Sequence, residues 1–410
     1  MVKKILIFLS FMYLVFIGIS LAENSQLGIA PAPSDEASSP GIHVFYLKPA
    51  QSGEYLYVYP QMDQKKEVEF KKEPNLGRGK IFRKILQIGK DQKNHIPVAW
   101  NKSKAKLYID FNRNLDLTDD QNNVFSASEK RYEQKFDNIP ITIIIKDHPV
   151  IYYANFYFYT YREIQCYLYV SSSWQGEIDL PGLKARMIVY DDINGKIDYS
   201  GIQINTQTYD KYTIQPLSFK DRSTTYTAGS FHTFTQLPIS QKLHFNESSY
   251  NINCEFEKQG EEIVLKTVFE ETQPDLGIIS LPGKYIKELI LYGEYQVLLF
   301  SPAPEMRIPS GSYIRGKILL NKPGTTKEIS ADPNGFTLNK DEKMVYRVGG
   351  PLKSKVNISP MGRSSLSLVY SLSGIGDEEY QGSGTDIENP PRFEIYRGEK
   401  KIFSDKFSFG

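Results

Sequence analysis

Side chains that can bind a hard cation crowd into one stretch of this chain, Lys106 to Phe125, KLYIDFNRNLDLTDDQNNVF. Asp110, Asn112, Asn114 and Asp116 fall on alternate residues directly after a strand-like run. That is the 1, 3, 5, 7 spacing with which a calcium loop wraps oxygen ligands around its ion. The sixth loop position is Leu115, where such a loop takes Gly to reach positive φ cheaply. The twelfth is Gln121 in place of a bidentate Glu, so closing the coordination sphere falls to Asp119 or Asp120. The expectation is a weak structural calcium site of the kind seen in extracellular modules. The alternative is a solvated hairpin loop whose Asp and Asn side chains cap their own backbone.

A second acidic turn, MIVYDDINGKID, carries Asp191, Asp192, Asn194 and Asp198 at less regular spacing, and SADPNGF near Asp332 is a fainter third case. Recurring turn chemistry accounts for these as readily as a repeated module does, as it does for the Pro-Gly entries LPGKYIKELI and IPSGSYIRGKI. The stretch Ile151–Val170, IYYANFYFYTYREIQCYLYV, offers another chemistry. Strand alternation sends Phe156 and Phe158 to one face and Tyr157, Tyr159 and Tyr161 to the other. An exposed tyrosine row would stack on sugar rings or on a partner protein, whereas a covered one is core.

Signatures of catalysis are missing: there is no HExxH, GxSxG, Walker, GxGxxG or CxxC pattern. His43, His95, His148, His232 and His244 stand singly, each read as a surface or satisfied core residue. The acidic pairs Glu261–Glu262 and Glu378–Glu379 point to opposite faces of a strand and read as solvated charges. Cys166 and Cys254 both sit in strand-like runs and read as buried free thiols, with a bridge between them as the alternative.

The elements that position these groups are strands. Aromatic and β-branched runs such as EYLYVYP, AKLYIDF, ITIIIK, RMIVY and YNINCEF recur between Gly, Pro and Asn/Asp turns, and 28 Tyr with 23 Phe suit pleated surfaces. The best short-helix candidate is SASEKRYEQK from Ser126. The expected fold is therefore all-β, with two or three consecutive β-sandwich modules. The breaks place a first β domain at 41–137 with the acidic loop, a middle one at 138–302 that could itself be two modules, and a third at 303–410. The opening MVKKILIFLSFMYLVFIGISLA reads as a signal peptide over 1–22 and ENSQLGIAPAPSDEASSP as a flexible linker over 23–40. That implies a secreted, periplasmic or cell-surface location without a transmembrane anchor after cleavage. With 49 basic and 48 acidic residues the chain has no field for nucleic acid.

The Asp110–Gln121 loop resembles the degenerate EF-hand-like calcium loops of dockerin-type repeats in secreted bacterial proteins, without their flanking helices. More loosely, YIDFNRNLDLTDD, IPSGSYIRG and the ending PPRFEIYRGEKKIFSDKFSFG resemble uncharacterised secreted bacterial proteins of several β-sandwich modules, the ending being similar to the closing strands of an immunoglobulin-like domain. The resemblance implies calcium as a clip and no activity. The resulting expectation is an exported, non-catalytic binding or envelope structural protein with a glycan or envelope protein as partner. The competing class is a polysaccharide-acting hydrolase with carboxylates assembled from separate strands.

Overall fold

Branched and aromatic runs bounded by turn residues fold here as strands, because such side chains cover a pleated surface while Gly, Asn and Asp supply the left-handed turn positions. The computed structural model describes residues 41–410 other than 90, 131–132, 161, 200–209, 218–235, 322–327, 361–365, 383–391, 398 and 407–410. The expected signal peptide, the whole of the linker, Tyr161 and His232 lie outside the described residues. Among the described residues the chain is all-β, its one helical feature the short 3-10 turn Gln92–Asn94. None of the described helices is long and apolar enough to cross a membrane.

The chain opens with β1 (Ile42–Val58), followed by β2 (Ile81–Leu86), β3 (Ile96–Asn101), β4 (Lys106–Ile109) and β5 (Val124–Ser126), of which β2 to β5 form a four-stranded antiparallel sheet. Next come β6 (Glu129–Lys130), β7 (Glu133–Ile145), β8 (His148–Thr160), β9 (Ile164–Leu180), β10 (Leu183–Tyr190), β11 (Lys211–Pro216) and β12 (Leu237–Pro238). They pair in succession as an antiparallel meander. The helix expected from Ser126 is instead a tight strand pair, Glu129 opposite Lys135 and Lys130 opposite Gln134. Cross-strand pairing overrides a weak local helical tendency there.

Strand β1 serves two sheets. Its second half, Lys48 to Val58, pairs with β9, while its first half, Ile42 to Leu47, pairs with β15 (Glu262–Thr272). That second sheet continues through β14 (Ser248–Gln259) and β13 (Lys242–Phe245) to β18 (Gln296–Phe300) and β17 (Ile286–Tyr292). A three-stranded sheet joins β16 (Leu276–Ser280) to β19 (Glu305–Pro309) and β23 (Lys343–Val345). Beyond β17 lie β20 (Gly311–Asn321), β21 (Glu328–Ala331), β22 (Asn334–Leu338) and the strands β24 (Lys353–Pro360), β25 (Leu366–Ser373) and β26 (Glu379–Gly382). The last two, β27 (Arg392–Arg397) and β28 (Lys400–Lys406), pair as the sequence suggests but form a two-stranded sheet of their own.

One large core runs under both sheets served by β1 and includes Trp100, Phe136, Phe158, Trp174, Tyr212 and Phe256. Trp100 lies 5.2 Å from the Phe158 ring, so residues on either side of position 137 share this core. A second cluster gathers Leu289, Leu299, Ile318, Tyr346 and Tyr380. A small third one, Leu76, Ala99, Tyr108 and Leu117, sits with the acidic loop that joins β4 to β5. Cys166 and Cys254 are both buried and free.

Candidate functional site

The Asp110 loop leaves β4 and re-enters the sheet at β5, with the Ile109 N–H donating to the Asn123 carbonyl at 2.9 Å to close its neck. Asp110 is fully buried and accepts the N–H groups of Leu115 at 2.8 Å and Asn114 at 3.3 Å. A ladder of Asx turns follows. Asn112 Oδ1 accepts the N–H of Asn114, Asn114 Oδ1 that of Asp116, and Asp116 Oδ1 that of Thr118. The intervening Arg113 and Leu115 take φ of 60° and 67°. Leu115 thus adopts the left-handed conformation that the sixth position demands, at a cost Gly would avoid.

Five of the six residues expected to bind a cation converge. Asn112 and Asn114 donate their side-chain amides to Asp119 at 3.0 and 2.6 Å, and Asp120 accepts the N–H groups of Phe111 and Asn112. Burial and the mutual charges of Asp110, Asp119 and Asp120 push the Asp110 and Asp120 carboxyls up from the usual range. Asp116 turns away to Lys72, 3.1 Å from its ammonium. The amide oxygens of Asn112 and Asn114 are already engaged by backbone donors, which is the self-capping pattern.

The tighter carboxylate cluster lies at the second acidic turn. Paired strands β10 and β11 place Tyr190 opposite Lys211, so Asp191, just past β10, and Asp210, just before β11, emerge side by side. Oxygens of Asp191, Asp192 and Asp210 all come within 4.8 Å of one another, and this is the one such acidic triad among the described residues. Asp191 accepts the Ile193 N–H at 2.6 Å, the Tyr152 hydroxyl, and the Trp174 indole N–H at 3.5 Å. Asp210 accepts the Asp192 N–H at 2.8 Å and the Asp198 N–H at 2.5 Å.

The same Asx ladder recurs here: Asp192 Oδ1 accepts the Asn194 N–H, Asn194 Oδ1 accepts the Lys196 N–H, and the intervening Ile193 and Gly195 have positive φ. Gly89 lets the end of β2 approach, because a Cβ there would stand 2.9 Å from the Asn194 carbonyl oxygen. Lys196, the lysine of this turn, pairs with Asp198. Burial therefore dominates the electrostatics. It pushes Asp191 up to about 6, and burial with the Asp191 charge pushes Asp192 up to about 7. Asp210 is also raised, by burial first and then by both neighbours. Two fully buried carboxylates and a half-buried third, with little opposing charge, make a set that a divalent cation could neutralise.

Local spacing points to Asp191, Asp192, Asn194 and Asp198 and does not reach Asp210. Its only signal is an acid standing directly before the strand run KYTIQP.

The tyrosine face assembles as alternation predicts and extends further. Phe156 and Phe158 are buried, while Tyr157 and Tyr159 lie on the opposite face of β8. Tyr167 and Tyr169 of β9 lie beside them, with Tyr157 opposite Tyr167 and ring centroids 4.9 Å apart. On the far side of β9, Tyr57 stands opposite Tyr169, and Tyr55 and Tyr59 flank it. The run EYLYVYP carried that signal, since its tyrosines alternate with buried Leu56 and Val58.

Two clefts open among the described residues. One of about 500 Å³ is lined by Leu183, Phe245, Glu247, Phe300 and Met306, among others; a smaller one of about 230 Å³ lies beside Pro49, Ile151 and Trp174. Comparison with protein-family models, with curated proteins and with solved structures returns no match.

Proposed function

We propose that this chain is an exported, non-catalytic binding or envelope structural protein whose β-sandwich framework is clipped by a divalent cation, calcium in our reading. The observation that carries it is the Asp191–Asp192–Asp210 cluster, whose oxygens lie within 4.8 Å of one another at the joined ends of two paired strands. Oxygen-only ligands, carboxylates at the centre and a rigid strand frame suit a hard cation that ties loops together. The Asp110 loop is a second, weaker place for the same ion, through Asp110, Asp119 and Asp120.

The hydrolase reading asks for two carboxyl groups about 5 to 9 Å apart across an open groove. The oxygens of the triad instead lie within 4.8 Å of one another, and the cleft of about 500 Å³ is lined by a single carboxylate, Glu247. The test is calorimetric titration of the metal-stripped full chain with calcium and with magnesium, alongside Asp210→Asn. Saturable calcium binding that Asp210→Asn loses supports the clip; a metal-stripped parent that takes up neither ion rejects it. Release of reducing sugar from a polysaccharide by the pure protein would reject the non-catalytic reading.

A further inference from the structure

The three strands β1, β9 and β8 carry seven tyrosines on one face: Tyr55, Tyr57 and Tyr59 at the end of β1, Tyr167 and Tyr169 on β9, and Tyr157 and Tyr159 on β8. Tyr55 and Tyr59 are the most open, at 47% and 41% exposure. The rings brace one another edge to face: Tyr57 against Tyr59 at 4.4 Å, Tyr157 against Tyr169 at 4.9 Å, and Tyr159 against Tyr167 at 5.7 Å. Such contacts fix rings that have only two side-chain torsions, so little conformational entropy is left to lose on binding. Five of the seven tyrosines stand in registered strand pairs; Tyr55 lies in the register break of β1 and Tyr59 follows directly after that strand.

We propose that this face binds an uncharged polysaccharide chain. Charge decides between occupants. The hydroxyls stay protonated, since burial and neighbouring groups raise Tyr57, Tyr157, Tyr159, Tyr167 and Tyr169 above the ordinary phenol. The ammonium of Lys135, 5.8 Å from the Tyr157 ring, is neutralised by Asp137 at 2.9 Å. Glu133 accepts the Tyr167 hydroxyl. With Tyr167 buried between its neighbours, the face offers the π surfaces and neutral hydroxyls of the other tyrosines and one carboxylate, Glu133, with no cationic row for a phosphate or sulfate backbone, which complements a ligand that is itself uncharged, apolar on its ring faces and hydroxylated at its edges. A flat strand face suits an extended chain.

The inference deepens the binding reading given above and rests on it. Its test is affinity electrophoresis of the full chain in native gels containing mannan, xyloglucan or mixed-linkage β-glucan, with dextran sulfate as the anionic comparison. Retardation by at least one neutral polysaccharide is expected. It should weaken on the order of tenfold in the double variant Tyr59→Ala/Tyr157→Ala and persist in Tyr59→Phe/Tyr157→Phe, which keeps the rings. Near-UV circular dichroism verifies that the variants fold; if the double Ala variant does not, Tyr55→Ala replaces it. No retardation in any neutral gel, stronger retardation by dextran sulfate, or retardation untouched by ring removal overturns the proposal. Hydrolysis of the polysaccharide would overturn the non-catalytic reading instead, so the two failures are distinguishable.

Discussion

Asp210, at the head of β11, accepts the backbone N–H of Asp192, two residues beyond the end of β10, at 2.8 Å. That bond fastens the acidic turn to the neighbouring strand and brings a third carboxylate to a place where two already repel. The stability of the metal-free protein should therefore carry the mark of this turn.

The first consequence concerns pH. Asp191 and Asp192 have folded values of about 6 and about 7, above the ordinary 3.8, so the folded chain holds protons that the unfolded chain releases. Their protonated forms stabilise the fold fully below about pH 4, and that contribution is lost as pH rises through 6 to 7. In chelator, Asp192→Asn should match its parent near pH 3.5 and exceed it by about 1–3 kcal/mol at pH 8, after discounting for partial exposure. Urea unfolding at the two pH values measures this; a difference independent of pH would show that Asp192 titrates normally.

Tyr152 supports the same cluster from β8, its buried hydroxyl donating to Asp191. Tyr152→Phe should cost about 1–3 kcal/mol, since it strips a donor from a carboxylate that cannot reach water. Chemical denaturation gives the value, and a variant as stable as the parent would mean that the hydroxyl is dispensable.

At the other acidic loop, Asp110 holds the N–H groups of Asn114 and Leu115 from a fully buried position. Asp110→Ala should lose about 2–3 kcal/mol even in chelator, because those donors are orphaned whether or not an ion binds. Any additional loss in calcium measures the ion's share there. Melts of parent and variant in both buffers separate the two contributions, and an Asp110→Ala melt unchanged in chelator would dismiss the capping role.

The thiols provide a fourth check. Burial pushes Cys254 up to about 12 and raises Cys166 as well, which leaves almost no thiolate at neutral pH. A thiol reagent such as Ellman's should react with neither in the native protein and with both in guanidinium. Fast native labelling would contradict their burial.

Much of this molecule was legible in the order of its residues. Period-2 alternation separated buried Phe156 and Phe158 from Tyr157 and Tyr159, and alternate Asp and Asn after β4 marked the Asx ladder with Leu115 at positive φ. These are local properties: a pleat sends neighbours to opposite faces, and a side-chain oxygen reaches an N–H two residues on. Only the tertiary structure could decide what joins them from afar. Asp210 meets Asp191 because β10 and β11 pair, and Tyr57 meets Tyr169 because β1 crosses from one sheet to another and lies along β9. Register between distant strands is set by burying whole apolar faces together, and no local spacing encodes which strand will lie beside which.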